Sequence, residues 1–312
     1  MRTTDTFENV IGKVHRMSQD YYDEVIPIRD MEFDSFDNLT IGYKEFEVLP
    51  SAQRLIANRL RIPQSYLSRC PMYLQADNLN YWLERELKNR DTLFCRFSGN
   101  KLRGVFTQRY TALDNMEVLT KMLEYGFEPS SEVHFSLDES VMILKVPEYG
   151  RMFGLTEKDK IVPGICIANS EVGILALSIE AYFYRLVCSN GMISKTAVSS
   201  RFKHISRKGL DEFPQVLNDV VYQSQESQGR FRVSMQTPVN DPLETIALFG
   251  KQFQLSQDEI EIVKKAYYLE EGATMFHVIN AFTAAAREPD LAAINEHKLQ
   301  RVGGSILGLV KQ

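Results

Sequence analysis

The chain of 312 residues is long enough for one large domain or two ordinary ones, and its 44% hydrophobic and 25% charged residues are normal for a globular protein. Its formal net charge of −5 argues against binding duplex DNA over the whole surface, although a local basic patch remains compatible with it. The first residues lack a continuous apolar segment and include Asp5 and Glu8, so they do not resemble a secretory signal, and no apolar run is long enough to span a bilayer. These features predict a cytoplasmic protein with no membrane partner.

The N-terminal third reads as an acidic lead-in over residues 1–50, expected to contain a short helix, followed by three helices. Helical periodicity begins at Ser51, and Pro63 separates that helix from a short one over residues 64–70. We interpret this pair as a structural hairpin and not as a helix-turn-helix, because no turn glycine joins the two helices. The third helix places four residues on one apolar stripe: Leu79, Trp82, Leu83 and Leu87.

The middle of the chain reads mainly as strands. Residues 93–97 and 102–107 form a predicted hairpin that is closed by a turn over Ser98-Gly99-Asn100. A helix is expected to follow, and then more strands. The helix is predicted over residues 114–125, and the strands over 133–137, 142–146, 161–168 and 173–179.

After Gly209 the sequence reads as helix. Ser256 and Glu259 form a capping box, and further helices are expected over residues 275–286 and 292–309. Segregated strands and helices predict an α+β fold with a helical lead-in, a central antiparallel or mixed sheet and a helical C-terminal third. The predicted divisions are the lead-in at 1–50, an α+β core at 51–209 and a helical region at 210–312 packed on that core.

Four groups of segments, in this order along the chain, resemble the domain of unknown function 932 family. They are residues 52–67 with 78–83, residues 109–115 (RYTALDN), residues 169–173 (NSEVG) with 185–192 (RLVCSNGM), and residues 280–283 (NAFT) with 303–304 (GG). The resemblance covers roughly residues 50–308 and implies a setting in phages, plasmids and other mobile elements. It brings no established activity and no accepted catalytic residues.

Two stretches contradict the acidic average, because no acidic residue occurs between Asp91 and Asp114 or between Glu180 and Asp211. Basic side chains that contact phosphates beside aromatic rings that stack on bases are typical of single-strand nucleic-acid binding. The alternative is that the rings are core and the bases an ordinary solvated face. The candidate residues are Arg96, Phe97, Lys101, Arg103, Phe106, Arg109 and Tyr110 in the first stretch, and Arg185, Lys195, Arg201, Lys203, Arg207 and Lys208 in the second.

Asn190-Gly191 is a strong signal for a type I′ hairpin turn beside Cys188. The alternative interpretation of this segment is a reactive Cys188 thiol, which would need a base or a positive field nearby. Cys70, Cys95 and Cys166 show no metal-ligand spacing with it, which favours reduced, buried thiols.

No motif names a reaction. The five histidines include no pair at helical ligand spacing, and the sequence has no phosphate-binding loop, dinucleotide fingerprint or nucleophile elbow. We therefore predict no metal, no cofactor and no catalytic residue, and the sequence leans away from an enzyme without excluding one.

The leading hypothesis is an accessory protein of a mobile element that binds single strands in replication or recombination. The alternative is a protein-binding module directed at host or element proteins, for which the acidic residues between Asp241 and Glu271 supply a surface. A homo-oligomer is compatible with either, since self-assembly multiplies weak sites.

Overall fold

The structure, a computed structural model, describes residues 3–157, 159–186, 190–194, 218 and 227–311. Within this part of the chain the strands form two sheets, and most helices pack against one sheet or the other. The α+β class predicted from the sequence is confirmed.

The first sheet has seven strands in the described residues, and all of its pairings are antiparallel. In spatial order the strands are β1 (Thr3–Thr6), β8 (Glu132–Leu137), β9 (Met142–Pro147), β11 (Lys160–Asn169), β12 (Ser178–Arg185) and β13 (Asn190–Ser194), with the short β10 (Phe153–Gly154) paired to β11.

The second sheet has six strands in the described residues and is mixed, because one of its pairings is parallel. The spatial order is β2 (Tyr21–Pro27), β6 (Thr92–Ser98), β7 (Lys101–Phe106), β5 (Lys44–Val48), β4 (Asn38–Ile41) and β3 (Met31–Phe33). The lead-in over residues 1–50 therefore supplies five strands in addition to a helix. These strands are only three to seven residues long and carry many charged side chains, which explains their weak periodicity.

Nine labelled helices complete the described part of the chain. They are α1 (Phe7–Met17), α2 (Pro50–Leu60), α3 (Gln64–Leu67), α4 (Met72–Glu86), α5 (Asn115–Glu124), α6 (Pro242–Gln252), α7 (Gln257–Tyr267), α8 (Met275–Ala285) and α9 (Ala293–Leu309); residues 227–236 are also helical. The capping box that begins α7 is formed as predicted, with the Ser256 and Glu259 side chains each accepting from the other's backbone N–H.

Helices α2 to α4 belong to the second sheet. Ala52, Ile56 and Leu60 of α2 and Leu79 and Leu83 of α4 are buried in one core with its strands. Asn80 of α4 also completes the edge strand β3: its Oδ1 accepts from the Phe33 N–H at 2.7 Å, and its Nδ2 donates to the Phe33 carbonyl at 2.8 Å. The side-chain amide thus replaces a neighbouring strand and fixes α4 beside the sheet.

Helix α9 packs on the first sheet through buried charges as well as apolar contacts. Lys145 Nζ of β9 donates to Glu296 Oε1 at 2.5 Å, and Ser136 Oγ of β8 donates to the other carboxylate oxygen at 2.9 Å. Arg301 Nη2 lies 3.0 Å from Glu180 of β12, which is fully buried. Since buried charges need partners, these pairs fix the position of α9 on the sheet.

The turn predicted at Ser98-Gly99-Asn100 is confirmed, with Ser98 and Lys101 paired and Gly99 at φ +54°. The turn predicted at Asn190-Gly191 is wrong. Both residues lie inside β13, paired with Arg185 and Tyr184, and Gly191 does not have the positive φ that a type I′ turn requires. Its lack of a side chain serves packing instead, because a Cβ at this position would lie 2.5 Å from the Tyr182 ring.

Candidate nucleic-acid interface

A groove of about 780 Å³ lies between α2, α4 and β7, and we call it the arginine groove. Its charged lining consists of four arginines and a single glutamate, so the groove is strongly positive in a chain of net charge −5. The charged residues are Arg59, Arg61, Arg85, Arg90 and Glu86; the others are Asn58, Asn89, Trp82, Leu55, Leu60, Val105 and Phe106.

Helical periodicity explains how these side chains share one groove. Trp82, Arg85, Glu86, Asn89 and Arg90 follow the spacing i, i+3, i+4, i+7 and i+8, which is one face of a helix. The turn after α4 continues that face, because the Arg90 N–H donates to the Glu86 carbonyl. Across the groove, α2 buries its apolar face in the second sheet and presents its polar residues to the groove.

Trp82 is the aromatic residue in this wall of the groove, and 43% of its surface is exposed. The centroid of its ring is 5.4 Å from that of the exposed Tyr81. The Arg85 guanidinium lies over both rings, 5.4 Å from the centroid of Trp82 and 4.6 Å from that of Tyr81. A cation held over an exposed indole forms a platform on which a flat base can stack.

Glu86 connects the two helical walls through a shared oxygen. Its Oε1 lies 2.7 Å from Arg90 Nε and 3.6 Å from Arg59 Nη1, and Asn89 Nδ2 donates to Oε2 at 3.3 Å. Burial, together with the nearby Arg90 charge, lowers the pKa of the Arg59 guanidinium. Both guanidiniums therefore share one carboxylate oxygen as their nearest anion.

The floor of the groove is apolar. The Phe106 ring stacks on Tyr110 at 3.7 Å between centroids, and Tyr110 donates its hydroxyl to the Glu171 carbonyl at 2.8 Å. Burial raises the pKa of Tyr110 to about 12. Arg109 is exposed, and the chain length between Arg109 and Phe106 keeps their Cα atoms within about 11 Å.

Three predicted site residues do not form a nucleic-acid surface, because the structure buries them. Arg96 and Arg103 are each only 2% exposed, and Phe97 is buried between the rings of Tyr22 and Phe46. A buried guanidinium cannot reach a phosphate, so the expected role of Arg96 and Arg103 has to be corrected.

The two buried arginines instead hold the two sheets together around Glu171, which follows β11. Arg103 Nη2 donates to Glu171 Oε2 at 2.6 Å, and Arg96 Nη1 donates to the Glu171 carbonyl at 2.8 Å. Arg96 also pairs with Asp23 and Asp114, and Arg103 lies 3.3 Å from the centroid of the Tyr21 ring. Buried charges with this many partners have a structural role.

The remaining candidates lie in different surroundings. Lys101 is partly exposed and lies 3.3 Å from Glu47. Phe106 lines the arginine groove, Tyr110 stacks on Phe106, and Arg109 is an exposed neighbour of Tyr110 in the chain. Arg185 is buried at the end of β12, where it pairs with Asp159 and Glu270, so its guanidinium does not face solvent. The rest of the second basic stretch lies outside the described residues, as does Cys188: Lys195, Arg201, Lys203, Arg207 and Lys208.

Sequence reasoning missed most of the groove. It placed Trp82 on the buried stripe of α4, whereas Leu79 and Leu83 are buried and Trp82 is exposed. The usable signal was the recurrence of Trp82, Arg85, Asn89 and Arg90 at helical spacing beside arginines at the end of α2.

The acidic surface proposed for protein binding is smaller in the structure than in the sequence. Glu259 is buried and pairs with Lys298, and the partly exposed Glu270 pairs with Arg185, so both carboxylates already have partners within the protein. Asp241, Glu244, Asp258, Glu261 and Glu271 are exposed. The protein-binding alternative stays a prediction.

In the part of the chain that the structure describes, no three histidine, cysteine, aspartate or glutamate side chains are grouped as a metal ion would require. Nor does any described helix have the length and apolar character needed to cross a membrane.

Burial raises the pKa of the Cys95 and Cys166 thiols to about 12, which makes both unreactive near neutral pH.

Residues 103–297 match the family described as Domain of unknown function (DUF932), and this span is more than half of the chain. The chain matches no curated protein and no solved structure. The match includes Glu171, Arg103 and the β7 side of the arginine groove, whereas α2 and α4 lie before it. The chain therefore belongs to the DUF932 family, whose description assigns no activity.

Proposed function

We propose that this protein binds single-stranded nucleic acid in the arginine groove without cleaving it and with little sequence preference. The observation that carries the proposal is the convergence of four arginines and the exposed Trp82 above an apolar floor. Guanidiniums contact phosphates, and an exposed indole stacks on any base because every base has a π-face.

Single strands fit this groove better than duplexes do. Stacking on Trp82 requires a base that is not already stacked between its neighbours, and the apolar floor offers no ordered donors and acceptors for reading base-pair edges. The acidic net charge also opposes the broad electrostatic footprint that duplex binding needs. The mobile-element setting that the family resemblance implies favours a role as an accessory protein in replication or recombination.

The test uses Trp82, which is the single tryptophan of the chain and therefore a built-in probe. Titration with a single-stranded oligonucleotide should quench its fluorescence, because a stacked base lies against the indole. The same sequence as a duplex should quench it much less.

The matched comparison is between two exposed arginines. Arg85→Ala removes the guanidinium above the Trp82 ring, and we expect it to weaken quenching. Arg29→Ala removes an exposed arginine that lines a different groove, and we expect binding to be unchanged. Unaltered Trp82 fluorescence at saturating oligonucleotide, or equal loss in both variants, would contradict the proposal.

A further inference from the structure

The contacts of Glu86 define one position within the arginine groove more sharply than any other. Two arginines and one asparagine, on both sides of the groove, surround this single carboxylate: Arg90 Nε and Arg59 Nη1 form ion pairs with it at 2.7 and 3.6 Å, and Asn89 Nδ2 donates to it at 3.3 Å. A phosphate group presents the same charge-bearing oxygens to the same kind of donors.

We propose that Arg59, Asn89 and Arg90 form a phosphate subsite that the Glu86 carboxylate occupies in the free protein. This inference rests on the proposed function, because the phosphate would come from the backbone of a bound strand. When the strand enters, a phosphate oxygen takes the place of the Glu86 carboxylate. Glu86 therefore competes with the phosphate for these donors and limits affinity.

The electrostatics support a replaceable anion at this position. The Arg59 and Arg90 guanidiniums both lie against the same Glu86 oxygen, at 3.6 and 2.7 Å, and two like charges this close repel each other unless an anion lies between them. Glu86 is the acidic residue among those lining the groove. Its side chain is 13% exposed and those of Arg59 and Arg90 are 18% and 33% exposed, so the subsite is accessible from solvent.

The experiment compares Glu86→Gln with Glu84→Gln, which neutralises an exposed carboxylate on the opposite face of the same helix. Glu86→Gln should bind oligonucleotide several-fold more tightly than wild type, because no carboxylate then has to be displaced from the two guanidiniums. Glu84→Gln should bind as wild type does.

A second measurement needs no oligonucleotide. The thermal midpoint of Glu86→Gln should be lower than that of wild type in chloride, because two guanidiniums then face each other unpaired, and inorganic phosphate at matched ionic strength should restore it. Glu84→Gln should show no such phosphate effect. If Glu86→Gln does not fold, Glu86→Asp is the substitute, because it keeps the charge but withdraws it by one methylene. Its oligonucleotide affinity and thermal midpoint should change in the same directions but by less.

The outcomes separate the two proposals. Phosphate rescue without oligonucleotide binding would support the subsite and contradict the proposed function. Oligonucleotide binding by wild type that Glu86→Gln leaves unchanged or weakens, with the fold intact, would overturn the subsite and leave the proposed function standing.

Discussion

Arg61 ends α2 with a left-handed backbone, at φ 56° and ψ 36°, and lines the arginine groove. Its N–H and that of Ile62 donate back to the last turn of the helix, which is the arrangement that usually selects glycine. A side chain in this conformation costs about 1 kcal/mol, so the sequence retains an arginine where glycine would be more stable. An unfavourable residue in a groove points to a role for its side chain.

Arg61→Gly should therefore raise stability and lower binding at the same time. We expect the free energy of unfolding to rise by up to about 1 kcal/mol, measured by urea denaturation, and oligonucleotide affinity to fall. A residue with a purely structural role would not separate the two measurements in this direction. Loss of stability, or unchanged affinity, would contradict this interpretation of Arg61.

Two basic residues of β7 should respond very differently to the same substitution. Arg103→Met leaves the Glu171 carboxylate buried without its cation, and should lower the free energy of unfolding by about 3–5 kcal/mol. Lys101→Met removes a partly exposed pair with Glu47 and should cost less than about 1 kcal/mol. Denaturant titration distinguishes them, and equal losses would mean that the Glu171 contacts are not structural.

At the scale of elements, β12 and β13 pack so closely that there is no room for a methyl group at Gly191. Gly191→Ala would bring a Cβ within 2.5 Å of the Tyr182 ring, and we expect a loss of about 1–3 kcal/mol in the free energy of unfolding. Gly150→Ala is the control, because a Cβ there has no neighbour within 4 Å. Thermal unfolding of the two variants measures the difference. A tolerated Gly191→Ala would show that this strand contact is wrong.

Short-range signals predicted many elements of this fold. The Ser98-Gly99-Asn100 turn and the Ser256 capping box depend on neighbours within four residues, so the sequence alone is sufficient. Asn190-Gly191 carries an equally strong local signal, yet the long-range contact between Gly191 and Tyr182 decides its role. Packing between strands overrides the local turn propensity of a glycine where a side chain at that position would clash.

Long-range pairing also explains why the site was only partly predictable. Arg96 and Arg103 were expected at the surface, but both are buried against distant carboxylates. The partners of Arg96 are Asp23 and Asp114, 73 and 18 residues away, and the partner of Arg103 is Glu171, 68 residues away. Each groove arginine, taken alone, resembles an ordinary solvated helix residue. Only the fold brings the end of α2 beside the end of α4.

The whole molecule distributes charge unevenly around α4. One face of this helix lines the arginine groove, and the other lines a groove of about 820 Å³ that includes Asp30, Glu32 and Glu84. A negatively charged strand is therefore attracted to one side of α4 and repelled from the other. The overall charge of −5 hides this polarity, so composition alone does not reveal the positive groove.

The salt dependence of oligonucleotide binding tests the central claim most directly. Fluorescence anisotropy of a labelled single strand, measured over a series of salt concentrations, should give a log–log slope of about −2 to −3, as expected for three or four phosphate contacts. The double variant Arg61→Ala, Arg85→Ala should flatten that slope by about 1.4, whereas Arg29→Ala should leave it unchanged. No binding at low salt, or a slope that is the same in all three proteins, would contradict single-strand binding in the arginine groove.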